Sequence, residues 1–234
     1  MNYIILNGKI STNITGLLIQ NLPPISKPLM RSEIEEIDGR DGDIVTKLGY
    51  SAYDKTFQIG LYDDFDIDEI IAFFNSEGTV TFSNEEDKYY NYQILEQIDF
   101  EKLLRFRTAT VKMHVQPFKY STQDSYKSFD ISTTPETIEI RNVGNIYSKP
   151  ILTVYGSGVV NISLNGSQVF MIDLTNDDSV TIDTSKMEAY NDTVLKNRIV
   201  TGDYDNFKLN VGKNTLTLSG EISQIDIENY SRWI

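Results

Sequence analysis

The chain has 234 residues, 40% hydrophobic and 24% charged, enough for one large or two small domains that each bury a core. Its net charge of −13 works against gripping a phosphate backbone, and neither part is a basic arm: residues 1–130 hold 13 basic against 21 acidic side chains, and residues 131–234 hold 8 against 13. Zero cysteines and one histidine exclude disulfides and His/Cys zinc sites, and fit a chain folded in a reducing cytoplasm, with no signal-peptide pattern at the start and no apolar run of membrane-spanning length.

In chain order, the opening reads as short strands, Tyr3–Leu6 and Leu17–Gln20, broken by Asn7-Gly8 and Leu22-Pro23-Pro24. Met30–Ile37 alternates weakly as a strand. The double Asp/Gly turn Asp38-Gly39-Arg40-Asp41-Gly42-Asp43 then reads either as a hairpin tip or as an ordered loop. Tyr53–Tyr62 alternates with Phe57, Ile59 and Leu61 on one side. The one expected helix follows, capped by Asp66, with Glu69 three residues on, an apolar stripe of Ile67, Ile70, Ile71 and Phe74, and Gly78 beyond its end. Thr79–Phe82 and Tyr89–Ile98 read as strands. The tyrosines 89, 90 and 92 are amphipathic sheet residues before they are a sugar-stacking platform.

Leu103–Tyr120 reads as a long half-buried strand that closes the first module, with Ala109, Val111, Met113 and Val115 inward. Pro117, which has no N–H, is expected to stop its ladder, and Gln116, Pro117 and Phe118 to act as the domain hinge. Polar residues from Lys119 to Asp130 form the connection. The division is 1–125, a β domain of sandwich or split-barrel type with one helix, and 126–234, wholly β.

The second part reads as short strands at roughly ten-residue spacing: Thr137–Arg141, Ile151–Tyr155, Val159–Leu164, Ser167–Leu174, Ser179–Asp183, Thr215–Ser219 and Ile222–Glu228. Asn165-Gly166 marks a two-residue hairpin turn that sets Ile162 opposite Val169 and Val160 opposite Met171. Thr184–Asp205 is a polar stretch, and Gly220 is bracketed by the last two strands. With no helix to cover a sheet, two antiparallel sheets must cover each other as a sandwich or jelly roll.

No catalytic constellation is legible. His114 lies in a strand and reads as a structural side chain, and neither a nucleophile elbow, a P-loop nor a dinucleotide fingerprint occurs. Asp177-Asp178 and Asp203-Tyr204-Asp205 lack the glycine and terminal glutamate spacing of a calcium loop and read as solvated turns. The expectation is a protein without enzyme activity, cofactor or metal.

Four stretches together resemble the distal tail protein family of long-tailed phages that infect Gram-positive bacteria. These are Gly39-Arg40-Asp41-Gly42-Asp43 with Gly49-Tyr50, and Tyr89-Tyr90 leading through Ile98-Asp99-Phe100 and Phe106-Arg107 to Gln116-Pro117-Phe118-Lys119-Tyr120. Next comes Asn142-Val143-Gly144-Asn145 with Lys149-Pro150-Ile151 and Tyr155-Gly156-Ser157-Gly158. The ending carries Gly202-Asp203-Tyr204, the run from Leu209 to Asn214, Gly220 and Arg232-Trp233.

The resemblance implies a structural virion protein at the distal end of the tail, a baseplate hub made in the host cytoplasm. It implies a tail-tube-like N-terminal domain that forms a homohexameric ring and an outward galectin-like C-terminal sandwich. The implied partners are the tail tube and tape-measure proteins, the tail-tip protein and receptor-binding proteins, with DNA passing through unbound. An acidic wall suits such a conduit, because phosphate contacts would hold the genome. Gly39, Arg40, Asp41 and Gly42 are the expected oligomer interface, with Arg40 between aspartates available for an intersubunit ion pair. The alternative is a carbohydrate-binding module for host adsorption. Galectin-type recognition uses a His/Asn/Arg set with a stacking Trp, whereas residues 131–234 hold no histidine and place Trp233 next to the end.

Overall fold

In the computed structural model, which describes residues 1–123, 126–228 and 231–234, the chain falls into two units. One is Met1–Thr122 together with Ile234, and the other is Gln123–Trp233. The first contains β1 (Ile4–Leu6), β2 (Lys9–Ile10), β3 (Leu17–Ile19), β4 (Met30–Glu36), β5 (Asp43–Tyr50), β6 (Tyr53–Leu61), α1 (Ile67–Phe73), β7 (Glu77–Phe82), β8 (Lys88–Gln93), α2 (Phe100–Phe106) and β9 (Thr108–Ser121). Its main sheet runs β2-β1-β7-β8-β9-β6-β3, and β4 and β5 form a separate two-stranded ribbon.

Alternation fixes which face of this sheet is inside. Phe57 and Ile59 of β6 and Ala109, Val111, Met113 and Val115 of β9 pack with Ile4, Leu6, Val80, Phe82 and Tyr90. Helix α1 forms as expected, since Asp66 Oδ1 accepts from the Asp68 and Glu69 amides at 2.9 and 3.2 Å. Its stripe is rotated from the sequence expectation: Ile70, Phe73 and Phe74 are buried while Ile71 faces out.

Two expectations about the 100–120 region are corrected. Among the described residues there are two α-helices, not one, because residues 100–106 form α2, capped by Asp99, whose Oδ1 accepts from the Lys102 amide at 2.8 Å. Arg107 then takes a left-handed conformation (φ 58°), which ends the helix and lets β9 start at once. Pro117 does not stop β9, which continues to Ser121. The register against β8 shifts between Tyr90↔Lys119 and Tyr92↔Val115, and pairing with β6 ends at Tyr53↔Val115. Proline therefore sits at a bulge, where no ladder hydrogen bond depends on its missing N–H.

The second unit contains β10 (Tyr126–Asp130), β11 (Glu136–Asn142), β12 (Ile151–Leu164), β13 (Ser167–Leu174), β14 (Ser179–Asp183), β15 (Glu188–Asn191), β16 (Val194–Leu195), β17 (Val200–Gly202) and β18 (Gly212–Glu228). The polar stretch 184–205 thus holds three short strands. The four strands read as 151–155, 159–164, 215–219 and 222–228 are two long ones. Residues 151–155 of β12 pair with β14 and with 224–228 of β18, whereas 161–164 pair with β13 and with 216–219 of β18. Both strands therefore run through two layers: β10-β18-β12-β14-β15-β16 on one side and β11-β18-β12-β13-β17 on the other. The corner lies at their bulges, at Gly156 and Gly220, and the sheet folds over a core that includes Ile140, Val154, Ile162, Phe170, Leu218 and Ile225.

The Asn165-Gly166 turn is present, with both residues at positive φ (51° and 87°). Its register differs by one residue from the expectation: Ile162 faces Phe170 and Val160 faces Ile172, past a bulge between Ile162 and Ser163. The extra residue puts both Val169 and Phe170 inside and turns Met171 outward. Phe170 packs between Phe207, stacked at 5.4 Å, and Tyr204, edge-on at 5.2 Å. The Tyr204 hydroxyl is the one buried side-chain polar atom among the described residues without a hydrogen-bond partner. Burial raises the pKa of that phenol. Tyr204→Phe is expected to stabilise the protein by about 1 kcal/mol in urea unfolding, because it removes an unsatisfied hydroxyl and keeps the ring.

Candidate interaction surface

The ribbon β4–β5 is the feature least explained by folding. Seven cross-strand pairs from Met30↔Tyr50 to Glu36↔Asp43 hold it, with Leu48 left out at a bulge beside Arg31 and Ser32. Neither strand has a buried residue. Ile34 and Val45, directly paired, are 61% and 56% exposed, and Leu48 is 55% exposed. A two-stranded hairpin is marginal in water on its own, and a paired Ile/Val on an open face is unusual without something to cover it.

The residues expected at an oligomer interface, Gly39, Arg40, Asp41 and Gly42, form the tip of this arm. Of the two open readings the hairpin tip is the one observed. Gly39 and Gly42 sit at φ 82° and 78°, and the Arg40 amide donates to Ile37 O at 3.1 Å. Among the described residues, Arg40 forms no ion pair within its own chain. Gln116, Pro117 and Phe118 lie inside β9, short of the unit boundary at Thr122. Phe118 meets the foot of the arm, its ring edge-on to Tyr50 at 5.5 Å.

Beside the arm's root lies a polar cluster that sequence reasoning missed. The Lys119 ammonium pairs with Glu85 Oε1 at 2.8 Å, and both side chains are under 10% exposed. Glu85 Oε2 accepts from Tyr90 Oη at 2.7 Å. Lys55, 3% exposed, is ringed by Tyr90, Phe82 and Tyr53 at 4.7, 5.6 and 5.7 Å and donates to Pro24 O at 2.9 Å. Its legible signal is register, because Lys55 occupies the inward slot of the alternation carrying Phe57 and Ile59.

His114 is half exposed, with Nδ1 2.8 Å from Asp54 Oδ1; Lys112 bridges Asp54 at 3.0 Å and Glu96 at 2.5 Å. The His114 hydrogen bond, followed by that from Lys112, holds the Asp54 carboxyl below its usual range. This is a surface charge network on a sheet. Among the described residues, no group of three or more His, Cys, Asp or Glu could hold a metal ion.

In the second unit the stretches around Asn142 and Leu209 meet. Asn142, buried, donates from Nδ2 to Ile146 O and Leu209 O at 2.9 and 3.0 Å and accepts from the Gly144 amide at 2.9 Å. Asn214 likewise spans Asn210 and Gly212. These asparagines fasten loops to strand ends. An open groove of about 660 Å³ is lined by Tyr155, Ser157, Asp178, Glu221 and Ser223. Its carboxylates are taken up locally, Glu221 by Ser157 Oγ at 2.7 Å and Asp178 by Ser179 Oγ at 3.2 Å.

A mainly antiparallel β protein of two units, the first bearing an uncovered arm, is the class that the fold defines. Solved structures of phage proteins are among those it resembles. The Dit protein (gp 19.1) of phage SPP1, described as a paradigm of hub adsorption apparatus in phages infecting Gram-positive bacteria, matches over 98% of this chain and 99% of its own, at 14% identity and a TM-score of 0.66. Chains of the phage P2 baseplate in its activated conformation, with Ca and with Sr, match over 98% of this chain and 97% of theirs, at 9% and 10% identity and TM-scores of 0.48 and 0.49. No family model and no curated protein matches the sequence. The distal tail resemblance drawn from the sequence is thus met by the fold of a distal tail protein over nearly the full length.

Proposed function

We propose that this chain is a structural hub protein at the distal end of a phage tail. Six copies close a ring through the first unit, join the tail tube to the tip and its receptor-binding proteins, and leave a channel for DNA. The observation that carries this reading is the end-to-end match in fold to the SPP1 hub protein, which includes both units. Two features of the chain support it. The arm leaves Ile34, Val45 and Leu48 exposed, an apolar surface for a neighbouring subunit to cover, and a ring would use such a contact heterologously. The tip carries Arg40 beside Asp38, Asp41 and Asp43, so closure is expected to include an Arg40 ion pair to the next subunit. Partners at the ring faces would be the tail tube, tape-measure and tail-tip proteins. The role is that of a scaffold, with no catalytic residue assigned.

Immunogold labelling of intact virions with antibody against this chain is expected to mark the tail end opposite the capsid. Labelling along the whole tail, on the capsid or nowhere on the particle would contradict the proposal.

A further inference from the structure

Residues 21–29 link β3 to the arm as a strap without strand pairing. Pro23, Pro24 and Pro28 remove three of its amide donors. What holds the strap comes largely from its neighbours. Asn84 Nδ2 donates to Pro23 O at 3.1 Å, Tyr53 Oη to Ser26 O at 3.4 Å, the Ser51 amide to Leu29 O at 2.9 Å, and Lys55 Nζ to Pro24 O at 2.9 Å. Only Lys55 brings a charge, and that charge is buried under the strap.

The charge is poorly compensated. Among the described residues no carboxylate lies within ion-pair distance of Lys55; the nearby one, Glu85, is held by Lys119 and the Tyr90 hydroxyl. Three aromatic faces and one carbonyl stand where a carboxylate would serve better. The groups facing Lys55 are Glu85, which favours its charge, Lys119, which opposes it, and the phenols of Tyr53 and Tyr90. Both phenols have raised pKa values, chiefly through burial.

We propose that Lys55 is a protonation-linked latch for the strap and, through it, for the root of the arm: the charged ammonium favours release of residues 21–29 and the neutral amine favours their closure. Burial lowers the Lys55 pKa from 10.5 to about 8. Under the closed strap the proton is therefore held less tightly than in water. Below pH 8 the lysine is charged in both states and opening is at its easiest. Between pH 8 and 10.5 the open state binds more protons, so closure strengthens as pH rises, roughly tenfold per pH unit for one proton. Near neutral pH the arm root is then at its most mobile until a neighbouring subunit covers it. That last step rests on the ring reading; the latch itself does not.

Hydrogen exchange of the full chain, free of partners, tests the latch. Protection of residues 21–29, relative to the intrinsic amide rate at each pH, is expected to stay flat from pH 6.5 to 8 and to rise at least tenfold by pH 9.5. Lys55→Met should show high protection at every pH, and Lys55→Arg low protection at every pH. Flat protection in the wild type, or the same pH dependence in Lys55→Met, would overturn the proposal. Should both variants fail to fold, the wild-type Lys55 side-chain ¹³C shift decides: a midpoint near 8 supports the latch and one at the ordinary lysine value refutes it.

Discussion

Gly156→Ala is expected to cost the second unit about 3 kcal/mol or more, a fall in melting temperature of ~10–20 °C. A Cβ on Gly156 would stand 2.2 Å from Glu221 O and 3.1 Å from the Ile222 Cα. Those are backbone atoms of β18, which is pinned by pairing with β10, β11 and β12 and cannot yield as a surface loop would. The corner at which both long strands cross between layers requires this close approach. Gly220 meets it from the other side, its notional Cβ 2.5 Å from Val159 O. Gly166→Ala is the control, because its Cβ would meet nothing within 4 Å and only its φ of 87° is costly, about 1 kcal/mol. Calorimetry of both variants checks the difference. Equal stabilities would mean that the corner is not a tight crossing.

The second large effect is on assembly. The double variant Ile34→Asp, Val45→Asp is expected to keep the monomer's stability within about 0.5 kcal/mol, since both side chains are exposed within the chain. If the arm is the contact of the proposed ring, the variant should raise the protein concentration needed for ring formation by at least about 100-fold, because two carboxylates would have to be buried against the neighbour. Arg40→Ala should weaken assembly less, by about 0–1 kcal/mol for each rim ion pair. Sedimentation velocity at several concentrations separates these outcomes. A double variant that still assembles like the wild type would remove the arm from the interface.

How much of this was legible in the residues depended on the range of the forces involved. Local signals read true. The Asn165-Gly166 turn and the Asp66 cap act within four residues, and both are present. Helix α2 is equally local, with Asp99 as cap and Phe100, Leu103 and Leu104 at helical spacing, but the strand expected over Leu103–Tyr120 takes in its second half because β9 follows without a linker. Long-range partners decided the rest. Pro117 is compatible with β9 because the ladder is already broken there by a bulge opposite Tyr90 and Tyr92, and a single strand's sequence does not show its neighbour's register. The corner strands looked like four because Gly156 and Gly220 resemble turn glycines, although they serve close packing of two backbones. For the candidate interface, the Asp/Gly tip was visible in the sequence. The arm's apolar pair was not, because Ile34 and Val45 look like any alternating strand until the absence of a covering layer is seen.

Negative-stain imaging of the purified protein together with the proposed tail-tip partner tests the ring reading most directly. Ring-shaped particles with six-fold symmetry and an open centre are expected. Particles without a central opening, or with a symmetry other than six-fold, would contradict it.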